Sequence, residues 1–377
     1  MTTTIPAPSS TKPARNPSFG RFFLPGPTEV LPEVLQAMTR PMIGHRGKDI
    51  EGMLAAVQPS LQAVFRTQRP VYISTSSATG LMEAAIRNGA RKRVLSLVNG
   101  AFSDRFYRIS QACGVETDKL EVPIGQGFSP EQLTAALKGK DYDAVTVVHS
   151  ETATGALNPI EQLAKAAHAA GDVVLLVDSV SGMAGARVET DAWGLDYLLT
   201  GAQKAFAMPP GLAFCTASEN VLERAKLKKD RGIYFDLIEF DKYIRKNQTP
   251  NTPAVSLIYA LVVQLEHILS EGIEARWARH QAMAERTWRW VDEIRERGVE
   301  ISVLSPVGYR SPTVTCIRLP ENKPGSAVTS AMKSKGFVIA SGYGNEKDLM
   351  IRIGHMGEHT VEELDVLLEA LGSVLTS

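Results

Sequence analysis

A lysine and an aspartate give the first indication of chemistry in this sequence. Asp178 ends the apolar run "VVLLVD", and Lys204 follows the next apolar run, "YLLTG", after a short loop. Both runs are typical of strands in a parallel sheet, whose carboxyl ends meet at one edge where ligands bind. The separation of 26 residues between the two leaves room for a turn and a neighbouring strand. We therefore expect both side chains to face one pocket, although Asp178 alone could be a turn or helix-cap aspartate.

The surroundings of Lys204 favour an uncharged amine. The following segment "AFAMPPG" is apolar and rigid, which argues against an ordinary solvated surface lysine. Partial desolvation favours the neutral amine, and a neutral amine forms a Schiff base with an aldehyde. Pyridoxal phosphate supplies such an aldehyde and needs an acid beside its ring nitrogen, a role that Asp178 fits. The pair therefore indicates this cofactor.

The segment "STSSATGLMEAA" could hold the phosphate of such a cofactor. It follows the strand-like "VYI" and opens a helix with small and hydroxyl residues, among them Ser77 and Thr79. Backbone N–H groups at a helix start bind anions against the positive end of the helix dipole. Alone, the segment is only a polar helix start, and it matches neither the dinucleotide-binding nor the Walker A pattern. In "NGAF", Phe102 could lie flat on a pyridine ring.

The elements that would position these residues alternate in type from about residue 70 to 215. Short β-branched runs alternate with helix-like segments, as in βαβ units, and their continuous apolarity predicts strands covered on both faces. Ser129, Pro130 and Gln132 form a capping box that predicts a helix start. The expected strands are "VYIST", "VLSLV", "AVTVVH", "VVLLVD" and "YLLTG".

Beyond residue 253 the sequence predicts two long helices separated near Gly272, followed by an α+β region. Trp277 and Trp288 on the second helix share a stripe with Ala284 and Val291, a spacing typical of packing residues. Further strands are expected at "TVTCIRL", "FVIAS" and "LMIRIG", and a last helix after the N-cap Thr360. We interpret this region as a smaller domain.

Composition narrows the class of protein. The 377 residues carry 41 basic and 41 acidic side chains, so no net field directs the chain to nucleic acid or an anionic membrane. Cys113, Cys215 and Cys316 are scattered singly, which fits a reducing compartment. No apolar run approaches the roughly 20 residues that span a bilayer, and no secretory signal is recognisable. We expect a cytoplasmic protein whose residues 1–20 form a flexible arm.

The chain resembles the class V aminotransferases of pyridoxal-phosphate fold type I, in particular the alanine–glyoxylate and serine–glyoxylate aminotransferases. The resemblance extends from "LPGPTEVLPEVLQAM" to "RIGHMG", with the motifs in the family's order. It implies an α/β fold with a mostly parallel seven-stranded sheet in a large domain, residues 21–262, and a smaller α+β domain, residues 263–377. It also implies a homodimer with the active site at the interface. The matching motifs are "PGPT", "GHR", "STSSATGLMEAA", "NGAF", "HSETATG", "VDSVS", "GAQKAFAMPPG", "TPAVSL" and "MIRIG".

The resemblance also implies roles for single residues. Lys204 would bind pyridoxal 5'-phosphate covalently and move the proton of the substrate Cα, while Asp178 would hold the ring nitrogen. Thr152 looks like the partner of the ring hydroxyl and Phe102 like the stacking aromatic. Arg352 looks like the clamp on the substrate α-carboxylate, for which a guanidinium fork is suited. The other expected contacts are the phosphate ligands Ser77, Ala78, Thr79 and Gln203, Thr252 towards the partner's phosphate, and the substrate-side residues Gly26 and Arg46.

The expected reaction is a ping-pong transfer of an amino group from alanine or serine to glyoxylate or pyruvate. Such a donor requires only the Arg352 clamp, whereas a phosphorylated or dicarboxylic donor requires another cation. Arg46 could be that cation or could pair with an acid across the dimer. Two alternatives stay open: a class V enzyme with an anionic donor of the phosphoserine or aspartate type, and a lyase or epimerase that shares the proton abstraction at Cα.

Rival classes have weaker support. A cysteine desulfurase needs a mobile nucleophilic cysteine, whereas Cys316 lies in a strand-like run and Cys215 in "GLAFCTA". The presence of both Lys204 and Asp178 disfavours a catalytically silent assembly subunit.

A zinc peptidase is the remaining rival. The segment "HMGEH" matches the inverted HxxEH signature at His355, Glu358 and His359. That chemistry requires both histidines on one helical face, but Gly357 interrupts the segment and the helix is expected to begin only at Thr360. We therefore expect no metal.

Overall fold

The computed structural model describes residues 19–376. Most of the arm expected over residues 1–20 lies outside the described residues. Its last two residues are held in place: the Gly20 amide donates to Glu29 Oε2 at 2.8 Å, and the Phe19 ring lies 5.7 Å from the His359 ring.

Helices and strands alternate through most of the described chain. The helices are α1 Pro32–Ala37, α2 Lys48–Phe65, α3 Ala78–Gly89, α4 Ala101–Ala112, α5 Pro130–Leu137, α6 Ile160–Ala169, α7 Glu219–Leu227, α8 Leu237–Ile244, α9 Val255–Glu271, α10 Ile273–Glu296, α11 Gly325–Ser334 and α12 Val361–Thr376. The strands are β1 Tyr72–Ser74, β2 Arg93–Val98, β3 Glu116–Glu121, β4 Ala144–Val148, β5 Ser150–Glu151, β6 Ala156–Leu157, β7 Val174–Asp178, β8 Tyr197–Gly201, β9 Ala213–Ala217, β10 Ser302–Val303, β11 Thr315–Arg318, β12 Ala340–Ser341 and β13 Met350–Ile353.

The main sheet has seven strands in the order β1-β9-β8-β7-β4-β2-β3. The strands from β8 to β3 pair in parallel, whereas β9 runs antiparallel to both β1 and β8. All five strands expected in this part of the chain are present, as β1, β2, β4, β7 and β8. The mostly parallel α/β architecture is therefore confirmed, with β9 as its antiparallel exception.

Helices cover both faces of this sheet, which explains the continuous apolarity of its strands. Successive residues of one strand enter different cores: Leu175 packs in the core beneath α2, α6 and α9, and Leu176 packs in the core beneath α3, α4, α7 and α8. Helix α5 begins with the expected capping box, in which Ser129 Oγ accepts from the Gln132 amide.

A second sheet of four antiparallel strands, in the order β10-β11-β13-β12, lies in the C-terminal part of the chain. The strands expected at "TVTCIRL", "FVIAS" and "LMIRIG" correspond to β11, β12 and β13. The hydrophobic core next to this second sheet includes buried leucines of α12. Helix α12 begins with the expected capping pair, because the Thr360 amide donates to Glu363 Oε2 and the Glu363 amide donates to Thr360 Oγ1.

The two long helices are separated at Gly272, as expected. Gly272 has φ of 85°, and the axes of α9 and α10 differ by 81° at this point. On α10 the expected stripe is only partly correct: Ala284 and Val291 are buried, but Trp277 and Trp288 are half-buried at the edge of a face that also buries Trp290. Within residues 19–376 no single helix is long and apolar enough to cross a membrane, although α9 and α10 together, bent where they meet, have sufficient length and apolar character.

Candidate active site

The structure brings Asp178 and Lys204 to one cavity at the carboxyl edge of the main sheet. Asp178 is the last residue of β7 and pairs in register with Leu199 of the parallel neighbour β8, which leads into the loop that carries Lys204. Only 2% of Asp178 and 7% of Lys204 are exposed. The cavity has a volume of about 180 Å³. Eight of the residues expected from the sequence line it: Ser77, Ala78, Thr79, Phe102, Thr152, Asp178, Gln203 and Lys204.

Burial perturbs both ionisable groups in the direction of their neutral forms. Desolvation raises the pKa of Asp178 to about 7, although the Val180 amide and the nearby charge of Lys204 oppose this shift. Desolvation also lowers the pKa of Lys204 to about 8, and the positive charge of Arg352 acts in the same direction. A substantial fraction of the Lys204 amine is therefore uncharged near neutral pH, as a nucleophilic amine requires.

The chain near residue 26 holds the Lys204 side chain from one side. Lys204 Nζ donates to the Pro25 carbonyl, and Thr28 Oγ1 donates to the Lys204 carbonyl at 3.0 Å. Gly26 lies against the lysine stem: a Cβ added there would lie 2.5 Å from Lys204 Cδ. Gly26 is therefore required for close approach, although it does not itself line the cavity.

The start of α3 presents donors to the cavity. Ser77 is the N-cap residue, but its side chain makes no capping hydrogen bond, so the hydroxyl and the first amides of the helix are available to an anion. Gln203 approaches the same point, since a Cβ at Gly201 would lie 2.6 Å from Gln203 Oε1 and 3.3 Å from Ala78 Cβ. These neutral donors form a concave end of the cavity.

Phe102 is positioned by an acid that sequence reasoning missed. The fully buried Glu151 accepts hydrogen bonds at the start of α4 from the amides of Phe102 and Ser103, at 3.2 Å and 2.9 Å to its Oε2. The sequence did contain a signal for this role: Glu151 is the one acidic residue in "HSETATG", and apart from His149 the other residues of the segment carry no ionisable side chain. The next residue, Thr152, lies 2.5 Å from Ser181 through their side-chain oxygens.

Arg352 lies beside the cavity rather than in its wall. It is carried by β13, and its Nε donates to the Ser341 carbonyl at 2.9 Å while its Nη1 donates to the Thr152 carbonyl at 3.3 Å. Desolvation lowers the pKa of Arg352, and its guanidinium lies 5.7 Å from the Tyr343 ring centre. In residues 19–376 no hydrogen-bond acceptor contacts Nη2, which leaves this nitrogen available to a ligand.

Thr252 and Arg46 lie away from this cavity. Thr252 lines a small groove with Thr249, Asn251 and Thr75. Arg46 donates to the carbonyls of Thr249 and Pro250, at 2.6 Å and 3.0 Å. Within this chain the guanidinium of Arg46 is therefore hydrogen-bonded to two backbone carbonyls.

The three residues of the HxxEH motif make hydrogen bonds within the protein. His355 Nε2 lies 2.8 Å from Thr315 Oγ1, Glu358 accepts from Arg276 at 2.8 Å, and His359 Nε2 lies 3.0 Å from the Phe22 carbonyl. Among the residues that the structure describes, no group of three or more His, Cys, Asp or Glu side chains could hold a metal ion.

Cys215 and Cys316 lack the properties of a nucleophile. Cys215 in β9 and Cys316 in β11 are buried, and desolvation raises the pKa of each thiol to about 12. A thiol with so high a pKa carries almost no thiolate at neutral pH. The geometry thus gives no support to a desulfurase.

The fold and the cavity define an α/β protein that holds a buried lysine and a buried aspartate at the carboxyl edge of a mostly parallel sheet. The family model for class V aminotransferases matches residues 22–366, and the chain belongs to this family. It is a pyridoxal-phosphate-dependent aminotransferase, and its cofactor is pyridoxal 5'-phosphate.

The chain is similar to individual relatives along nearly their whole length. The chain is 40% identical to an uncharacterized aminotransferase of Methanocaldococcus jannaschii, over 89% of this chain and 87% of the relative. It is 33% identical to the L-aspartate–glyoxylate aminotransferase of Paracoccus denitrificans, over 90% and 87%. The solved structure of an alanine–glyoxylate aminotransferase from Nostoc sp. superimposes with a TM-score of 0.88 at 30% identity, covering 97% of this chain and 98% of that one.

Proposed function

We propose that this aminotransferase moves the amino group of alanine or serine to glyoxylate or pyruvate in a ping-pong reaction. The observation that carries the proposal is the cavity, whose wall includes Lys204, Asp178 and the start of α3, with Arg352 close enough for its charge to lower the pKa of Lys204. Relatives named for transfer to glyoxylate support the choice of acceptor.

The residues present fit the cofactor. A buried carboxylate with a raised pKa suits a positively charged partner such as a protonated ring nitrogen, which would keep Asp178 ionised. The free donors at the start of α3 suit the phosphate, and Phe102 suits a stacked ring. When bound, pyridoxal phosphate supplies an electron sink for the electron pair that remains after the substrate Cα loses its proton.

Lys204 would hold the cofactor covalently and, once displaced by the substrate amine, act as the base at Cα. A pKa of about 8 suits this role, because a group that titrates near the working pH both accepts and returns a proton readily. The hydrogen bonds from Thr28 and to Pro25 limit the positions that the lysine can take. Thr152, which also lines the cavity, would bond the ring hydroxyl.

Arg352 would orient the substrate by its α-carboxylate. Its Nη2 is available, and the two hydrogen bonds of its other nitrogens fix the plane of the guanidinium. A dicarboxylic donor would need a second cation, and the guanidinium fork of Arg46 already binds two backbone carbonyls. Within this chain Arg46 is therefore not free to act as that cation, which agrees with a small neutral donor.

We further propose a cytoplasmic homodimer in which Thr252 reaches the phosphate of the partner. Thr252 borders the Thr75 segment, which leads into the start of α3. Ile233, which is 86% exposed, lies next to Tyr234 of the same groove, and exposed apolar side chains of this kind are typical of protein interfaces. The division into a large domain over residues 21–262 and a small domain over residues 263–377 is part of this proposal.

Absorbance of the holoenzyme tests the proposed reaction. Alanine or serine alone should bleach the visible cofactor band, and glyoxylate or pyruvate alone should then restore it. Aspartate serves as the donor control: if it bleaches the band while alanine and serine do not, the proposed donor is wrong. A band that persists with every amino acid while product accumulates would instead indicate a lyase or epimerase.

A further inference from the structure

The charge of the cofactor phosphate raises a question about its ligands. The phosphate is a dianion, yet the residues expected to bind it are neutral: Ser77, Ala78, Thr79 and Gln203 from the same subunit, and Thr252 across the proposed dimer. A buried or half-buried dianion is stabilised by a cation as well as by neutral donors. The wall of the cavity, among the residues that the structure describes, contains two cationic side chains, Lys204 and Arg105. Lys204 is reserved for the aldehyde, so Arg105 is the candidate.

Arg105 lies on the face of α4 that looks towards α3. It follows Phe102 by three residues and precedes Ile109 by four, so the three share one helical face. Ile109 packs against the core that contains Met82 of α3, and Met82 lines the same cavity as Arg105. Side chains of a helix lean towards its N-terminus, which directs Arg105 to the carboxyl edge of the sheet, where α3 begins.

The guanidinium of Arg105 is available to a ligand. It lies 4.9 Å from the Phe102 ring centre, and within residues 19–376 its side chain makes no ion pair or hydrogen bond. Its neighbours on α4 differ in this respect: Asp104 pairs with Arg108 at 3.0 Å and with Lys119 at 2.6 Å. Arg105 is half-buried, and a guanidinium held against an aromatic ring loses little freedom when it binds an oxyanion.

We propose that Arg105 is the cationic ligand of the cofactor phosphate, acting with the start of α3. The inference rests on the proposed use of Ser77, Ala78, Thr79 and Gln203 as phosphate ligands, and it adds a residue that sequence reasoning did not select. It also leaves Arg352 as the cation for the substrate carboxylate, which agrees with a small neutral donor.

The test compares two forms of the cofactor that differ only in the phosphate. Cofactor-free protein is titrated with pyridoxal 5'-phosphate and, separately, with pyridoxal, and the visible absorbance reports binding to Lys204. Arg105→Met should weaken pyridoxal phosphate binding about 10- to 100-fold, as expected for the loss of a charge-assisted hydrogen bond, and change pyridoxal binding less than about twofold. Arg105→Lys should fall between, because it keeps the charge and loses the fork.

Arg108→Met is the matched control on the same helix. Arg108 is exposed and pairs with Asp104, so its loss should leave both affinities unchanged. Wild-type binding of pyridoxal phosphate should also weaken with rising salt more steeply than binding of pyridoxal, and Arg105→Met should reduce this difference.

Three results would overturn the inference. The first is an unchanged affinity of Arg105→Met for pyridoxal phosphate. The second is an equal loss for pyridoxal phosphate and pyridoxal, which would assign Arg105 to the ring or to Phe102. The third is an unchanged cofactor affinity with selective loss of turnover from aspartate, which would assign it to a donor carboxylate. The proposed function fails separately, if wild-type holoenzyme is not bleached by alanine or serine while the difference between the two cofactor forms remains.

Discussion

At the scale of the residue, burial gives Asp178 and Lys204 their chemistry. One carboxylate and one amine share a cavity, and desolvation moves the pKa of each towards the neutral form. Without a bound cofactor, the buried site disfavours the charged form of both side chains. We therefore expect substitutions at these two residues to separate activity from stability.

Replacement of Lys204 should abolish turnover without unfolding the protein. Lys204→Ala removes both the covalent attachment point and the proposed base, so transamination should fall at least about 10³-fold. The cofactor should still bind through the phosphate end, and thermal unfolding should stay cooperative. A variant that keeps turnover within about tenfold of wild type would exclude Lys204 as the base.

Association of the cofactor should depend on pH through Lys204. The neutral amine is the reactive form, and the pKa of Lys204 is about 8 in the cofactor-free protein. The rate at which added pyridoxal phosphate develops its visible band should therefore rise with pH, with a midpoint near pH 8 and a plateau at higher pH. Stopped-flow absorbance between pH 6 and 9.5 measures the midpoint. A flat profile would show that the amine is already neutral, or that another step limits binding.

Asp178→Asn should stabilise the cofactor-free protein while it reduces activity. The pKa of Asp178 is raised from its ordinary value to about 7 in the fold, so folding is favoured when the group is protonated, and that advantage is lost as pH rises through about 7. Asparagine avoids this cost, which is on the order of 1–3 kcal/mol at pH 8. Urea unfolding at pH 5 and pH 8 should show a gain for the variant that is larger at pH 8. Equal gains at both pH values would contradict the titration of Asp178.

The strand-end rule explains why most of the cavity was predictable from sequence. Four residues of the cavity each follow or end an apolar strand: Ser77, Phe102, Asp178 and Lys204. Their position at the carboxyl edge of the sheet could therefore be predicted before the fold was known. Arg105 could not be read in this way, because it lies one turn inside α4 and resembles any exposed helical arginine. Its availability depends on the lack of an acid in ion-pair contact with it among residues 19–376, which is a property of the packed structure.

At the scale of the element, helix starts position the cavity residues. The N-terminus of α3 forms the phosphate end, and the N-terminus of α4 carries Phe102 under the control of Glu151. Sheet order was less predictable than strand existence. The "AFCTA" of β9 is a continuous apolar run like its parallel neighbours, so nothing in its composition distinguishes the antiparallel direction. The polar "ETDKLE" of β3 lies at the edge of the sheet, where the apolar signal is absent.

Removal of the Glu151 charge should loosen the start of α4. The carboxylate accepts from two amides of the first turn, and a favourable N-terminal acceptor is worth about 1 kcal/mol, more when it is buried. Glu151→Gln keeps one acceptor oxygen and should lose less stability than Glu151→Ala. Because Phe102 moves with this turn, we expect both variants to bind pyridoxal and pyridoxal phosphate more weakly by a similar factor. Loss of stability without any change in cofactor affinity would separate the helix start from the cavity.

At the scale of the whole molecule, a buried ion network joins the loop of Lys204 to the chain that follows β13. Arg276 is fully buried, and its Nη2 donates to the Ala205 carbonyl at 2.7 Å and to Glu358 at 2.8 Å. Its Nη1 donates to Glu271 at 2.7 Å. The network thereby links the residue next to Lys204 with the segment that follows Arg352, and so helps to set the spacing between the amine and the carboxylate clamp.

Breaking this network should cost both stability and substrate binding. Arg276→Met leaves the carboxylate of Glu358 buried beside an apolar side chain, and loss of one partner of a buried ion pair typically costs about 3–5 kcal/mol. Arg276→Lys keeps the charge and should lose less. If the network also sets the spacing, KM for the amino donor should rise more than kcat falls, in both variants, whereas a purely stabilising role would leave KM unchanged in the folded fraction.

The pH dependence of that loss identifies Glu358 as the partner. Desolvation is the largest single effect and opposes ionisation, but the charge and hydrogen bond of Arg276, together with Arg279 and Gln264, outweigh it and hold the pKa of Glu358 at about 2. This depressed pKa contributes stability above the ordinary value of 4.5, and the contribution disappears as pH falls through about 2. The difference in unfolding free energy between wild type and Arg276→Met should therefore shrink from pH 7 towards pH 3. In the double variant Arg276→Met/Glu358→Gln the two losses should not add, because the second substitution removes the charge whose ion pair with Arg276 the first had already broken. Full additivity, with a pH-independent loss, would assign the stabilising role of Arg276 to its contacts with Glu271 and the Ala205 carbonyl instead.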